Sequence, residues 1–140
     1  VGDEANKIAK QTIKLSEADA AGDSSRYVEI RHIGTHVTSM LRKVLDAFAR
    51  LDVDTAVDVI VDDQTVDAQY KQAMRSSVTF MMEDPRTISG VLNEMWSLRS
   101  LERVGDHACN IAEQVVYLAR GLDVRHVETD ELIEQLNLDG

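Results

Sequence analysis

Apolar residues recur at alternating three- and four-residue intervals over most of this chain, and a single proline, Pro85, breaks the pattern. That spacing places one residue per turn on the same side of an α-helix. Ile30, Ile33, Val37, Leu41, Val44, Phe48 and Leu51 form one such stripe. Ala56, Ile60, Asp63, Asp67, Tyr70, Met74, Ser77 and Met81 form a second. Ile88, Val91, Met95, Leu98, Glu102, Gly105, Cys109, Ala112, Val116 and Ala119 form a third. The pattern predicts four helices: Val1 to about Ala20, about Ser25 to Leu51, about Val53 to Glu83, and about Pro85 to Arg120. Gly22 and Gly121 suit C-terminal caps, and Asp84-Pro85 suits a cap followed by a first helical residue.

At about 1.5 Å per residue the three long helices each span roughly 40 to 50 Å. Short connections make such helices antiparallel neighbours. The expected fold is therefore all-α, an antiparallel up-and-down three-helix bundle over 25–121, preceded by a separate helix within 1–22. The apolar face of that leading helix (Ile8, Ile13, Leu15) either packs on the bundle as a fourth helix or swaps into a second molecule. A homodimer is expected. The tail, 122–140, is acidic and holds either a short helix, Glu128 to Leu136, or partial disorder.

Composition narrows the function. Hydrophobic residues make up 44% of the chain but aromatics only 4%, so the core is aliphatic. A net charge of −10 argues against nucleic acid as the main partner and is compatible with cations or a basic protein surface. The one cysteine, Cys109, forms no internal disulfide, which points to a reducing compartment. No run approaches the roughly 18 apolar residues needed to span a bilayer, so no transmembrane segment is expected. No signal peptide is visible, and the chain opens at Val1, inside a helical pattern, as a fragment would.

Two acidic pairs stand out. Asp63-Gln-Thr-Val-Asp67 and Glu102-Arg-Val-Gly-Asp106 each place carboxylates at i and i+4 on adjacent helices. Asp63, Asp67 and Glu102 fall on stripe positions, and Asp106 lies beside one. Like charges at this spacing repel, and a buried unpaired carboxylate is costly. A cation that relieves both problems is the first candidate, and hard oxygen ligands suit magnesium, manganese or iron, with zinc also accepting carboxylates. The bland alternatives are solvated acidic faces, or neutralisation by Arg99 and Arg103.

An internal repeat extends the motif. Val1 to Gln11 aligns with Val104 to Gln114, with seven of eleven positions identical. Asp3 is thereby the counterpart of Asp106, the surviving part of a second motif. Gly105 and its counterpart Gly2 read as space for close approach of a helix or ligand.

Other candidates are weaker. His32 and His36 have metal-pair spacing but flank the stripe, which favours ordinary boundary histidines. Glu29-Ile-Arg-His32 is a single Glu-x-x-His, where di-iron bundles use two. His107 is either a ligand neighbour or a surface residue, as its counterpart Glu4 suggests. Cys109 reads as a small core residue. No glycine-rich phosphate loop and no nucleophile triad is present.

Arg99-Ser-Leu-Glu-Arg-Val-Gly-Asp-His-Ala-Cys-Asn-Ile-Ala-Glu113, followed by Val115-Val-Tyr-Leu-Ala-Arg-Gly121, resembles the PhoU family, and Met81-Met-Glu-Asp-Pro-Arg86 and Asp63 to Asp67 fit as well. The resemblance covers the second of two tandem three-helix repeats and the last helix of the first. It implies a multinuclear metal cluster, of iron or zinc, on Asp63, Asp67, Glu102 and Asp106, with Asp3 belonging to the other cluster. It implies no catalysis. It implies a cytoplasmic adaptor, peripheral to the inner membrane, linking a phosphate ABC transporter ATPase to a phosphate sensor histidine kinase. Such an adaptor represses phosphate-starvation signalling and moderates uptake. The rival reading of the same carboxylates is a metalloenzyme or metal store. Cys109 departs from the family by standing where a polar or basic residue is common.

Overall fold

The computed structural model describes the backbone of residues 1–18 and 27–138, and side chains over 1–13 and 27–134. Five helices follow in order: α1 (Gly2–Ala18), α2 (Val28–Arg50), α3 (Val53–Glu83), α4 (Ile88–Arg120) and α5 (Thr129–Leu138). The turn expected at Ala21 to Ser25, with its Gly22 cap, lies outside the described residues, as does the side chain of Leu15.

Local chemistry sets the boundaries. The Asp52 side chain accepts from the Thr55 backbone N–H at 3.1 Å and from the Thr55 hydroxyl at 2.9 Å, an N-cap that starts α3. Helix α3 spans the residues expected of it. Its end is fixed by Asp84, whose carboxylate accepts from the Arg86 N–H at 3.2 Å while Pro85 opens a single 3₁₀ turn, Pro85–Thr87. Helix α4 therefore begins at Ile88, three residues later than expected. Gly121 closes it in the left-handed conformation, φ 72°, as its sequence position predicts. Leu51 ends α2 with a φ of 51°, a conformation that disfavours a side chain, and its own side chain stays exposed.

Helices α2, α3 and α4 pack on one another, and α1 packs along α4. The leading helix thus takes the place of a fourth helix. The core is aliphatic, as composition requires: Ile33, Val37, Met40 and Val44 from α2 meet Val59, Val66 and Ala73 from α3 and Leu98, Ala108, Ala112, Val115 and Val116 from α4.

Three expectations shift. On α2 the stripe turns toward Met40 and Ala47, leaving Phe48 50% exposed. On α3 the buried line runs Ala56, Val59, Val66, Ala73 and Ser77, so Ile60, Asp67, Tyr70 and Met74 flank it instead of forming it. Glu4, expected at the surface, is 3% exposed: Lys7 reaches it at 2.8 Å and Arg103 at 3.5 Å, and these charges hold its carboxyl below the usual range. The acidic tail resolves in favour of a helix. Leu132 of α5 joins the core, and the Gln64 amide donates to the Thr129 hydroxyl at 2.6 Å.

Chemical denaturation separates true core from the misplaced stripe. Leu98, 0% exposed, should cost about 2–5 kcal/mol on conversion to alanine. Phe48→Ala, at a half-exposed ring, should cost about 1 kcal/mol or less.

Candidate metal centre

Helices α3 and α4 run side by side, and each contributes one acidic pair to the seam between them. Asp67 from α3 and Glu102 and Asp106 from α4 each offer an oxygen within 4.8 Å of the others. Three of the five carboxylates singled out by sequence therefore converge on one point.

Asp63 lies one turn from Asp67, where α3 faces Gly105 of α4. Gly105 of α4 faces it: a Cβ there would stand 3.3 Å from Asp63 Oδ1, 3.5 Å from a Val66 methyl and 3.7 Å from a Val37 methyl. An added methyl group would make ordinary contact with both valines and press only on the Asp63 carboxylate, so the mid-helix glycine leaves that oxygen its room. Gly2 differs from its counterpart, since a Cβ there would meet open space. Asp3, on the first turn of α1, is exposed and joins none of the carboxylates that converge on α3 and α4.

The electrostatics of the four follow from this placement. Burial, and then the charges of Asp106 and Asp67, push the Asp63 carboxyl from its ordinary 3.8 to about 6. Oδ1 of Asp63 is buried without a hydrogen-bond partner. The Cys109 thiol bonds to the same carboxyl group and offsets part of the shift. That thiol is itself pushed up to about 12, by burial first and by the Asp63 charge second, so it remains a protonated donor and not a nucleophile. Glu102 and Asp106 are also raised, each by desolvation first and by neighbouring carboxylates next. Arg99 and Arg103 lower Glu102 only as minor contributors, and the Arg103 guanidinium turns instead to Glu4. Arginine is therefore not the main counter-charge. His107 does not join the triad; its charge lowers Asp106 from the side.

An orphaned buried carboxylate oxygen beside three converging carboxylates is the environment a cation suits. Asp67, Glu102 and Asp106 would hold the ion, and Asp63 stands behind them at the level of Gly105. The donor set is all oxygen, so it favours hard cations. A bound ion would supply positive charge where four carboxylates otherwise repel one another.

Without metal, the raised pKa values make a prediction about pH. Folded Asp63 keeps its proton to about pH 6, whereas the unfolded chain loses it near 3.8. Between those values the folded state binds more protons, so this group lowers stability as pH climbs from about 4 to about 6, and the penalty is complete above that. In chelator-treated protein, Asp63→Asn should raise the melting temperature clearly at pH 7 and little at pH 4.5. An equal gain at both pH values would refute the assignment.

Comparison with known proteins bears on the same elements. Residues 30–115 match the model of the PhoU domain, which takes in α2, α3 and most of α4. The chain is 56% identical over 137 residues to a "phosphate-specific transport system accessory protein PhoU homolog" of Pseudomonas aeruginosa, covering 97% of this chain and 55% of that protein. It is 42% identical over 132 residues to the Escherichia coli K12 "phosphate-specific transport system accessory protein PhoU", covering 94% and 54%. The crystal structure of PhoU from Pseudomonas aeruginosa superposes with a TM-score of 0.82 at 57% identity, over 86% of this chain and 57% of that one. The phosphate transport system regulatory protein PhoU from Streptococcus pneumoniae gives 0.75 at 28% identity, over 88% and 56%. The chain spans about half the length of the curated relatives it matches. With a bundle of this form and a domain match over more than half its residues, the chain belongs to the PhoU family.

Proposed function

We propose that this chain is the part of a phosphate-homeostasis regulator that carries a carboxylate metal centre. The regulator acts as a cytoplasmic adaptor between a phosphate ABC transporter ATPase and a sensor histidine kinase. It lowers phosphate-starvation signalling and phosphate uptake when phosphate is plentiful. The observation that carries the metal half is the convergence of Asp67, Glu102 and Asp106 beside the unpartnered oxygen of Asp63. The regulatory half is supported by relatives named as accessory and regulatory proteins of phosphate transport, names that also speak for a non-enzymatic role. No helix among the described residues is long and apolar enough to cross a membrane, which suits attachment through partners.

The physical role of the metal in this reading is structural. An ion that binds the folded bundle and not the unfolded chain stabilises it by mass action, about 2.7 kcal/mol at a hundredfold excess over Kd. For a bundle of this size that corresponds to roughly 5–10 °C in Tm. Protein shown by elemental analysis to hold iron, zinc, manganese or magnesium should therefore lose stability on that scale when treated with chelator. The triple variant Asp67→Asn, Glu102→Gln, Asp106→Asn should bind no metal and show no chelator effect. In cells lacking their own copy, the full-length regulator should silence a phosphate-starvation reporter in phosphate-rich medium, and the triple variant should leave it on. A metal-loaded wild type whose melt ignores chelator would defeat the stabilising role. Equal silencing by wild type and variant would defeat the link between metal and regulation.

A further inference from the structure

A second set of ligating groups lies on the other side of α3. Gln69 is two residues from Asp67, about 200° around the helix, and so faces α2 instead of α4. There its side-chain amide sits between two imidazoles. His32 Nε2 is 3.0 Å from Gln69 Nε2, and His36 Nδ1 is 3.4 Å from Gln69 Oε1. The two histidines are at i and i+4, one above the other on α2. Behind His36, its Nε2 faces Asp62 Oδ1 at 3.9 Å, and Lys43 holds the other oxygen of Asp62 at 2.7 Å. Val28, Arg31 and Thr35 line the same shallow groove.

We propose that His32 Nε2 and His36 Nδ1, with the amide oxygen of Gln69, form a second metal site for an imidazole-preferring divalent ion such as zinc or nickel. Three features of the arrangement carry it. Both nitrogens already face one small polar group, so side-chain rotation would bring them toward an ion that needs them about 2.0–2.1 Å away. Turning the Gln69 amide presents its oxygen as a third ligand, and the exposed groove leaves a fourth position to water. A ligating histidine usually donates its other ring N–H to a carboxylate, and Asp62 is the carboxylate behind His36. Lys43 fixes Asp62 in that outer position and at the same time lessens its use as a direct ligand.

The two sites differ in chemistry. Carboxylates between α3 and α4 favour hard ions, whereas imidazole suits zinc, nickel and copper. The nearby Arg31 side chain is exposed, so solvent screens its charge from the ion.

The test is a calorimetric titration of nickel or zinc into metal-free protein, with the histidine ring signals followed by NMR. His32→Ala and His36→Ala should each weaken binding about tenfold or more. Both variants should keep the helical circular dichroism of the parent, since neither ring belongs to the core. The triple variant Asp67→Asn, Glu102→Gln, Asp106→Asn should retain the site, as should His107→Ala and His126→Ala. Ring signals of His32 and His36 should move with the first equivalent of metal. Unchanged affinity in both His32→Ala and His36→Ala, or binding that follows His107 or His126, would overturn the proposal. Either result would leave the α3–α4 centre untouched.

Discussion

Helix α4 is packed against α1, α2 and α3, and the rest of the structure follows from that crowding. Its buried positions mix small residues, Ser97, Ser100, Gly105, Ala108 and Ala112, with the branched side chains of Val91, Leu98, Val104, Val115 and Val116. At Gly105 an added methyl group would touch Val37, Val66 and Asp63. Trp96, the one tryptophan, lies outside these contacts and is 58% exposed.

The same crowding sets the electrostatics. Asp63 is drawn into the seam by its place on the buried line of α3, between Val59 and Val66. Asp67, Glu102 and Asp106 come from flanking positions and close over it. Desolvation is the first cause of the raised pKa in Asp63, Glu102 and Asp106, and mutual repulsion comes second. An isolated bundle would be better served by leucine at Asp63. Glu4 shows the contrast: it is more deeply buried than Asp63, yet Lys7 and Arg103 neutralise it, and its pKa falls instead of rising. Buried carboxylates in this fold are thus of two kinds, one paired within the chain and one unpaired.

Much of this was legible in the residues. Asp52, Asp84-Pro85 and Gly121 act through local hydrogen bonds and backbone preference, so the limits of α3 and the end of α4 could be read directly. The i, i+4 pairs were legible because helical spacing puts their members on one face. Phase and depth were not. Helix α3 carries Val57, Val59, Ile60 and Val61 in five positions, so several stripes fit equally well until neighbours choose one. Phe48 fits the period of α2, but the face that α2 buries passes through Met40 and Ala47, and local spacing does not distinguish the two phases. The burial of Glu4 depends on Arg103, a partner about a hundred residues away, and no local pattern reports that. The convergence of His32 and His36 on Gln69 is of the same kind: the pair was visible, and the group that brings the rings together was not.

The position of the carboxylates gives their mutual repulsion a structural consequence. They sit where α4 meets both α2 and α3, with Asp63 Oδ1 at the level of the Gly105, Val66 and Val37 contact. Charge added or removed there acts on the packing of three helices at once. A lysine or arginine in the seam would neutralise the site permanently and leave it unresponsive. Under the proposed function, a cation bound by these carboxylates would set the strength of that junction directly, with no long path through the protein. The fold thus places this repulsion where three helices meet.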